Sequence, residues 1–200
     1  MELKYSPLSP YVRKVTVTAH ELGIADRITL TRVDARGDPA SIAPFNPLGK
    51  IPALLTDDGR VLYDSPVICE YLDAEFGGHA LLPAAGAQRW AILTRMALAD
   101  GMIDAAILVR HERAREEAKR SQEWIDWQLR KVFSALDHLE AVVGAIGQRP
   151  DLGDIATSCA LGYMPLRVDE LAGLPRWPKL RDWHERIAQR ESLRRTAPVL

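Results

Sequence analysis

Three short stretches of this chain carry residue types suited to holding an anionic, peptide-like molecule. Ser9-Pro10 places a hydroxyl before a proline, and proline is suited to the first position of a helix. At such a start, backbone N–H groups and the positive end of the helix face outward. Asn46-Pro47-Leu48-Gly49-Lys50-Ile51-Pro52-Ala53-Leu54 ends a loop at Gly49-Lys50 and begins a strand on a proline. Proline cannot donate to a sheet ladder. A cis peptide there would leave the backbone of Ile51 open to an extended ligand. Asp64-Ser65-Pro66 puts an acid and a hydroxyl at a second helix start. The acid can accept from an ammonium, while the hydroxyl and N–H hold a carboxylate. Each motif also has a plainer use: Ser9 as an N-cap, residues 49–52 as a turn, and Asp64 as a solvated acid.

The elements that must position these residues follow from the surrounding pattern. Residues 3–5 read as a short strand. Val12, Val15, Ala19 and Leu22 recur at helical spacing after Ser9, and Gly23 stops that helix. Residues 28–34 are rich in β-branched side chains and predict a second strand. A strand–helix–strand order predicts parallel pairing. Residues 38–45 read as a short helix or an irregular loop. A strand over 53–56, the turn Asp57-Asp58-Gly59-Arg60 and a strand over 61–63 predict a hairpin. Ser65 is expected to cap the next helix, with Pro66 at its first position and Gly77-Gly78 after its end. This order is that of a thioredoxin-like α/β domain over residues 1–78.

Residues 79–87 read as a linker. From residue 88 onward strand signals disappear. Helices over about 88–114, 121–143, 152–163 and 178–190 predict an all-α domain over 88–200. Ile125, Leu129, Val132, Leu136, Leu139 and Val143 alternate spacings of four and three, the seam of a packed helix. Asp151 and Asp154 fit a capping box.

Taken together, these segments resemble the glutathione transferase family. The resemblance is carried by Ser9-Pro10-Tyr11-Val12-Arg13, the Asn46–Leu54 run, Asp64-Ser65, residues 150–163 and residues 174–186, so it spans nearly the whole chain. It implies a thioredoxin-like α/β domain followed by an all-α domain, with glutathione as co-substrate and no metal. It implies a cis peptide at Ile51-Pro52. Glutathione would be bound by Lys50, Ile51, Pro52, Asp64 and Ser65, with the Ile51 backbone on the cysteinyl part and Asp64 and Ser65 on the γ-glutamyl end. A free thiol has a pKa of ~8.5, and the thiolate is the nucleophile. In serine-type members a serine before the first helix donates to that thiolate, which makes Ser9 the catalytic candidate and Ser6 the alternative.

The implied activity is conjugation of glutathione to a small hydrophobic electrophile, a detoxification chemistry, by a homodimer. A glutathione-dependent peroxidase, a disulfide reductase, or a non-catalytic partner-binding protein of the same fold stay open as alternatives. Asp64 stands where the family more often has Glu, and Asp151 where it usually has Ser or Thr. Asp100 and Asp104 lie four apart on one helix face. They either help bind the γ-glutamyl ammonium or form a solvated or salt-bridged pair. Met102, Ile103, Ala106 and Arg110 either line a second-substrate pocket or serve packing and interfaces.

Composition narrows the classes further. A formal net charge of −1 gives no electrostatic reason to expect nucleic acid or a membrane surface. No apolar run approaches the ~20 residues of a membrane span. Residues 1–5 lack a basic stretch followed by an apolar one, so the expected location is the cytoplasm. Cys69 and Cys159 lie within apolar helical patterns and are expected to be buried, reduced thiols. There is no Cys-x-x-Cys, and the histidines are scattered, which leaves a zinc site without support.

Overall fold

The computed structural model describes residues 1–35, 37–144, 149–172 and 174–198. The last two residues of the expected helical domain lie outside the described residues. Two compact units emerge, Met1–Ile92 together with Glu191–Leu200, and Leu93–Arg190.

In the first unit the chain runs β1 (Glu2–Tyr5), α1 (Pro10–Glu21), β2 (Thr29–Arg32), β3 (Ala53–Leu55), β4 (Val61–Leu62) and α2 (Ser65–Leu72). The strands form one mixed sheet in the order β2-β1-β3-β4. β1 and β2 are parallel, as the intervening helix demands, and β3 pairs antiparallel with both β1 and β4. Residues 38–45 hold a single 3₁₀ turn, Pro39–Ser41. Leu3 and Leu54 face each other across β1 and β3 and are wholly buried. Val15 of α1 and Ile68 and Leu72 of α2 are equally sealed. Truncating any of these leucines or Ile68 to alanine costs about 2–5 kcal/mol by the usual transfer and cavity terms.

α2 passes into one π turn, Asp73–Gly77, which Gly78 ends at a φ of 58°. The buried Asp73 carboxylate then accepts the N–H of Leu81 at 3.0 Å and of Leu82 at 2.7 Å. A Cβ on Gly77 would collide with Asp73 Oδ1 and Leu22 Cδ2, so glycine is what lets this turn close against the end of α1.

The helices that follow are α3 (Ala87–Arg113), α4 (Gln122–Val142), α5 (Leu152–Tyr163), α6 (Pro178–Ile187) and α7 (Glu191–Arg195). The division between units falls inside α3. Five of the six residues of the expected α4 seam, Ile125, Leu129, Val132, Leu136 and Leu139, are buried, while Val143 is the C-cap and only half-buried. α5 is buried along almost its whole length. α7 belongs with the first unit, where Arg13 Nη2 donates to the Leu193 carbonyl at 3.0 Å and Ser192 Oγ donates to Glu21 at 2.5 Å. Both cysteines are buried thiols outside any disulfide, and Thr18 Oγ1 lies 3.5 Å from Cys69 Sγ.

Candidate functional site

Sheet register gathers three of the sequence motifs at one end of the sheet. Lys4 pairs with Ala53, so Tyr5 and the loop leading to Ser9 lie beside Pro52 and Ile51. Leu54 pairs with Leu62, so two residues further along that hairpin Asp64 comes level with Pro52. The β1–α1 loop, the start of β3 and the β4–α2 junction therefore share an edge.

Ser9 is the N-cap of α1. Its Oγ accepts the N–H of Val12 at 3.3 Å, and its own N–H donates to the Ser6 carbonyl at 3.1 Å. A hydroxyl that accepts one hydrogen bond still carries a proton to donate. Capping α1 and donating to a sulfur are thus compatible uses of one atom.

The Ile51–Pro52 peptide is cis, as the family resemblance implies. The loop before it is held by Asn46, which is 1% exposed. Asn46 Nδ2 donates to the Lys50 carbonyl at 2.9 Å, and its Oδ1 accepts the Leu48 N–H at 2.9 Å. Gly49 sits at a φ of 64°, in the left-handed region. Among the described residues no backbone hydrogen bond engages the N–H or C=O of Ile51. Lys50 is exposed and Pro52 is buried.

The start of α2 differs from the expectation by one residue. Asp64 occupies the N-cap position, Ser65 is the first helical residue and Pro66 follows it. The carboxylate of Asp64 makes no capping hydrogen bond and is exposed. The Tyr63–Asp64 peptide is also cis. Ser65 is 1% exposed, and its Oγ has no hydrogen-bond partner among the described residues. A buried hydroxyl without a partner costs about 1–3 kcal/mol.

Asp100 and Asp104 fall in the second unit, half-buried and exposed respectively, and each has an interaction partner. Met102, Ile103 and Ala106 are buried among the α3 core residues, while Arg110 is exposed. The start of α5 carries the full capping box: Asp151 accepts from Asp154 N–H at 2.9 Å and Asp154 accepts from Asp151 N–H at 3.1 Å. Arg95 pairs with Asp151 and lies 3.8 Å from Asp154. Burial, and then the neighbouring Asp151 charge, push the Asp154 carboxyl above its usual range.

Sequence reasoning missed the Asn46 clamp and a cavity of about 260 Å³ beside Ser9. That cavity includes Ser6, Ser9 and Arg13 but none of Ile51, Asp64 or Ser65. The i to i+4 spacing of Ser9 and Arg13 is the one sequence signal that could have found it. No group of three or more metal-binding side chains gathers among the described residues, and no described helix is long and apolar enough to cross a membrane.

Residues 8–75 match the glutathione S-transferase N-terminal domain family, and residues 112–186 match the glutathione S-transferase C-terminal domain family. The chain belongs to the glutathione S-transferase family. It is 34% identical to the uncharacterized GST-like protein YibF of Escherichia coli (strain K12), over 99% of this chain and 98% of that one. A glutathione transferase family member from Pseudomonas fluorescens Pf-5, solved with bound glutathione, superposes with a TM-score of 0.93 at 42% identity, covering 100% of this chain and 99% of that chain. A structure of a Pf-5 family member with bound S-(propanoic acid)-glutathione gives a TM-score of 0.89 at 42% identity, with both chains covered completely. The small mixed sheet followed by a helical domain is the architecture of these transferases.

Proposed function

We propose that this transferase binds glutathione at the shared edge of its sheet, converts the thiol to a thiolate, and joins the sulfur to a small electrophile. The observation that carries the reading is the sealed, unpartnered Ser65 hydroxyl at the start of α2, beside an Asp64 carboxylate that caps nothing. Together they match the two charges of a γ-glutamyl end: the helix start and hydroxyl take the carboxylate, and Asp64 takes the ammonium. The open backbone of Ile51 suits the extended cysteinyl part, in the manner of an added strand. In this reading the sulfur meets Ser9, where a donated hydrogen bond and the helix end both favour the thiolate. Lys50 lies on the rim and adds positive charge for the remaining carboxylate. The ligands reported for the Pf-5 structures, glutathione and an S-substituted glutathione, support both the binding and the conjugation.

Homodimer formation is part of the same proposal. Leu48, Tyr63, Val67 and Trp90 are large apolar side chains left exposed on the first unit, with Leu48 69% and Trp90 66% exposed. Light scattering should report twice the mass of one chain, and a monomer at micromolar concentration would reject that part.

The deciding experiment is a calorimetric titration with reduced glutathione, followed by thiolate absorbance against pH. Saturable binding with a thiol pKa below ~8.5 supports the transferase reading. Binding without that shift makes glutathione a bound ligand without activation. No binding by the folded protein points instead to a partner-binding member of the fold.

A further inference from the structure

We infer that the electrophile carries a carboxylate a short distance from its reacting carbon, and that Arg13 recognises it in the cavity beside Ser9. This rests on the proposed role of Ser9 in holding the glutathione sulfur. The cavity encloses about 260 Å³ and lies wholly within the first unit. Pockets for drug-sized ligands run from ~300 to 1,000 Å³, so the group taken here is small.

Its walls divide by chemistry. Ile28 and Leu30 supply an apolar side, while Arg13, His20 and Arg195 supply a basic one, and no acidic side chain lines it among the described residues. Arg195 is already paired with Glu191 at 2.7 Å, and both are largely exposed. Arg13 has no carboxylate partner among the described residues. Its Nη2 is fixed by the Leu193 carbonyl, and its Nε is buried without a hydrogen-bond partner. A guanidinium held in place with donors to spare is prepared for a planar anion, and a carboxylate fits that fork best.

Position adds to the argument. Ser9 and Arg13 are four residues apart at the head of α1, so their Cβ atoms lie ~5–6 Å apart on one face. A sulfur at Ser9 with a two-carbon acid attached spans a similar distance. In the reaction the thiolate pair forms the S–C bond. With a 3-halo acid the C–halogen bond breaks and halide leaves with its electrons. The thiol proton has already passed to solvent.

The test compares two isosteric conjugates, S-(2-carboxyethyl)glutathione and S-(2-carbamoylethyl)glutathione, by calorimetry on the full chain, with glutathione as the reference. The acid is expected to bind about tenfold more tightly than the amide, as a charge-assisted hydrogen bond allows. Added salt should shrink the ratio. Arg13→Gln should bring it close to one, and Arg13→Lys should keep part of it. A merely structural Arg13 would leave the ratio unmoved. If Arg13→Gln fails to fold because Leu193 loses its donor, Arg13→Lys and the salt series decide. Equal binding of acid and amide by a protein that binds glutathione overturns this inference alone. Failure to bind glutathione overturns the transferase reading, and this inference with it.

Discussion

α2 and α5 both begin on an aspartate at the N-cap, yet their ends are built in opposite ways. At α5 the two cap residues answer each other: Asp151 and Asp154 bond each other's N–H, and Arg95 pairs with Asp151. At α2 the Asp64 side chain caps nothing and the Ser65 hydroxyl is sealed without a partner. α6 shows a further solution, in which Glu140 of α4 accepts the N–H of Lys179 at 3.1 Å and of Leu180 at 2.8 Å. A helix start satisfied by its own chain contributes stability. The one left open is where we propose that glutathione binds. α1 lies between them, because Ser9 both caps Val12 and retains a proton to donate.

The sharpest way to break this contrast is at α1. Ser9→Ala should slow turnover about a hundredfold, the usual cost of losing one aimed donor. The bound thiol's pKa should rise toward that of free thiols, with glutathione binding largely intact. Unchanged turnover and thiol pKa would move the role to Ser6. Asp151→Ala should destabilise the fold by about 2 kcal/mol, combining a lost cap with a lost ion pair. Urea unfolding measures this, and glutathione affinity should not follow it.

At α2 the pattern should invert. Asp64→Ala and Ser65→Ala should each weaken glutathione binding about tenfold, while the unfolding free energy moves by under about 0.5 kcal/mol for Asp64→Ala and rises by about 1 kcal/mol for Ser65→Ala, which removes an unsatisfied buried hydroxyl. A Ser65→Ala loss beyond about 1 kcal/mol of stability would mean that the hydroxyl has a structural partner.

The smallest effect concerns pH. The Asp154 carboxyl is raised in the folded state by burial and by Asp151. An acid with a raised folded pKa binds more protons when folded. Its contribution therefore favours folding at low pH and declines as pH rises from the unfolded value through the folded one. Asp154→Asn should remove that decline. A stability difference between the two proteins that stays constant from about pH 3 to 7 would contradict it.

Much of this site could be read from local pattern. Ser9-Pro10, the Asn46–Pro52 run and the Asp151–Asp154 box are each defined within a few residues, and local geometry follows from local chemistry. The start of α2 was legible only to within one residue, because Asp64 and Ser65 both precede Pro66 and either could stand at the cap. Asp73, Arg13 and α7 were not legible as a set. Asp73 meets Leu81 and Leu82 only after a π turn, and Arg13 meets Leu193 across the whole length of the chain. Spacing carries no mark of such distant pairing.

That last contact also governs the order of assembly. Arg13 and its acceptor are separated by 180 positions, and Glu21 and Ser192 by 171. When α1 leaves the ribosome, these partners have not yet been synthesised. The helical unit Leu93–Arg190 is complete first, so the earlier half of the chain must wait for the later half before its own cavity acquires a wall.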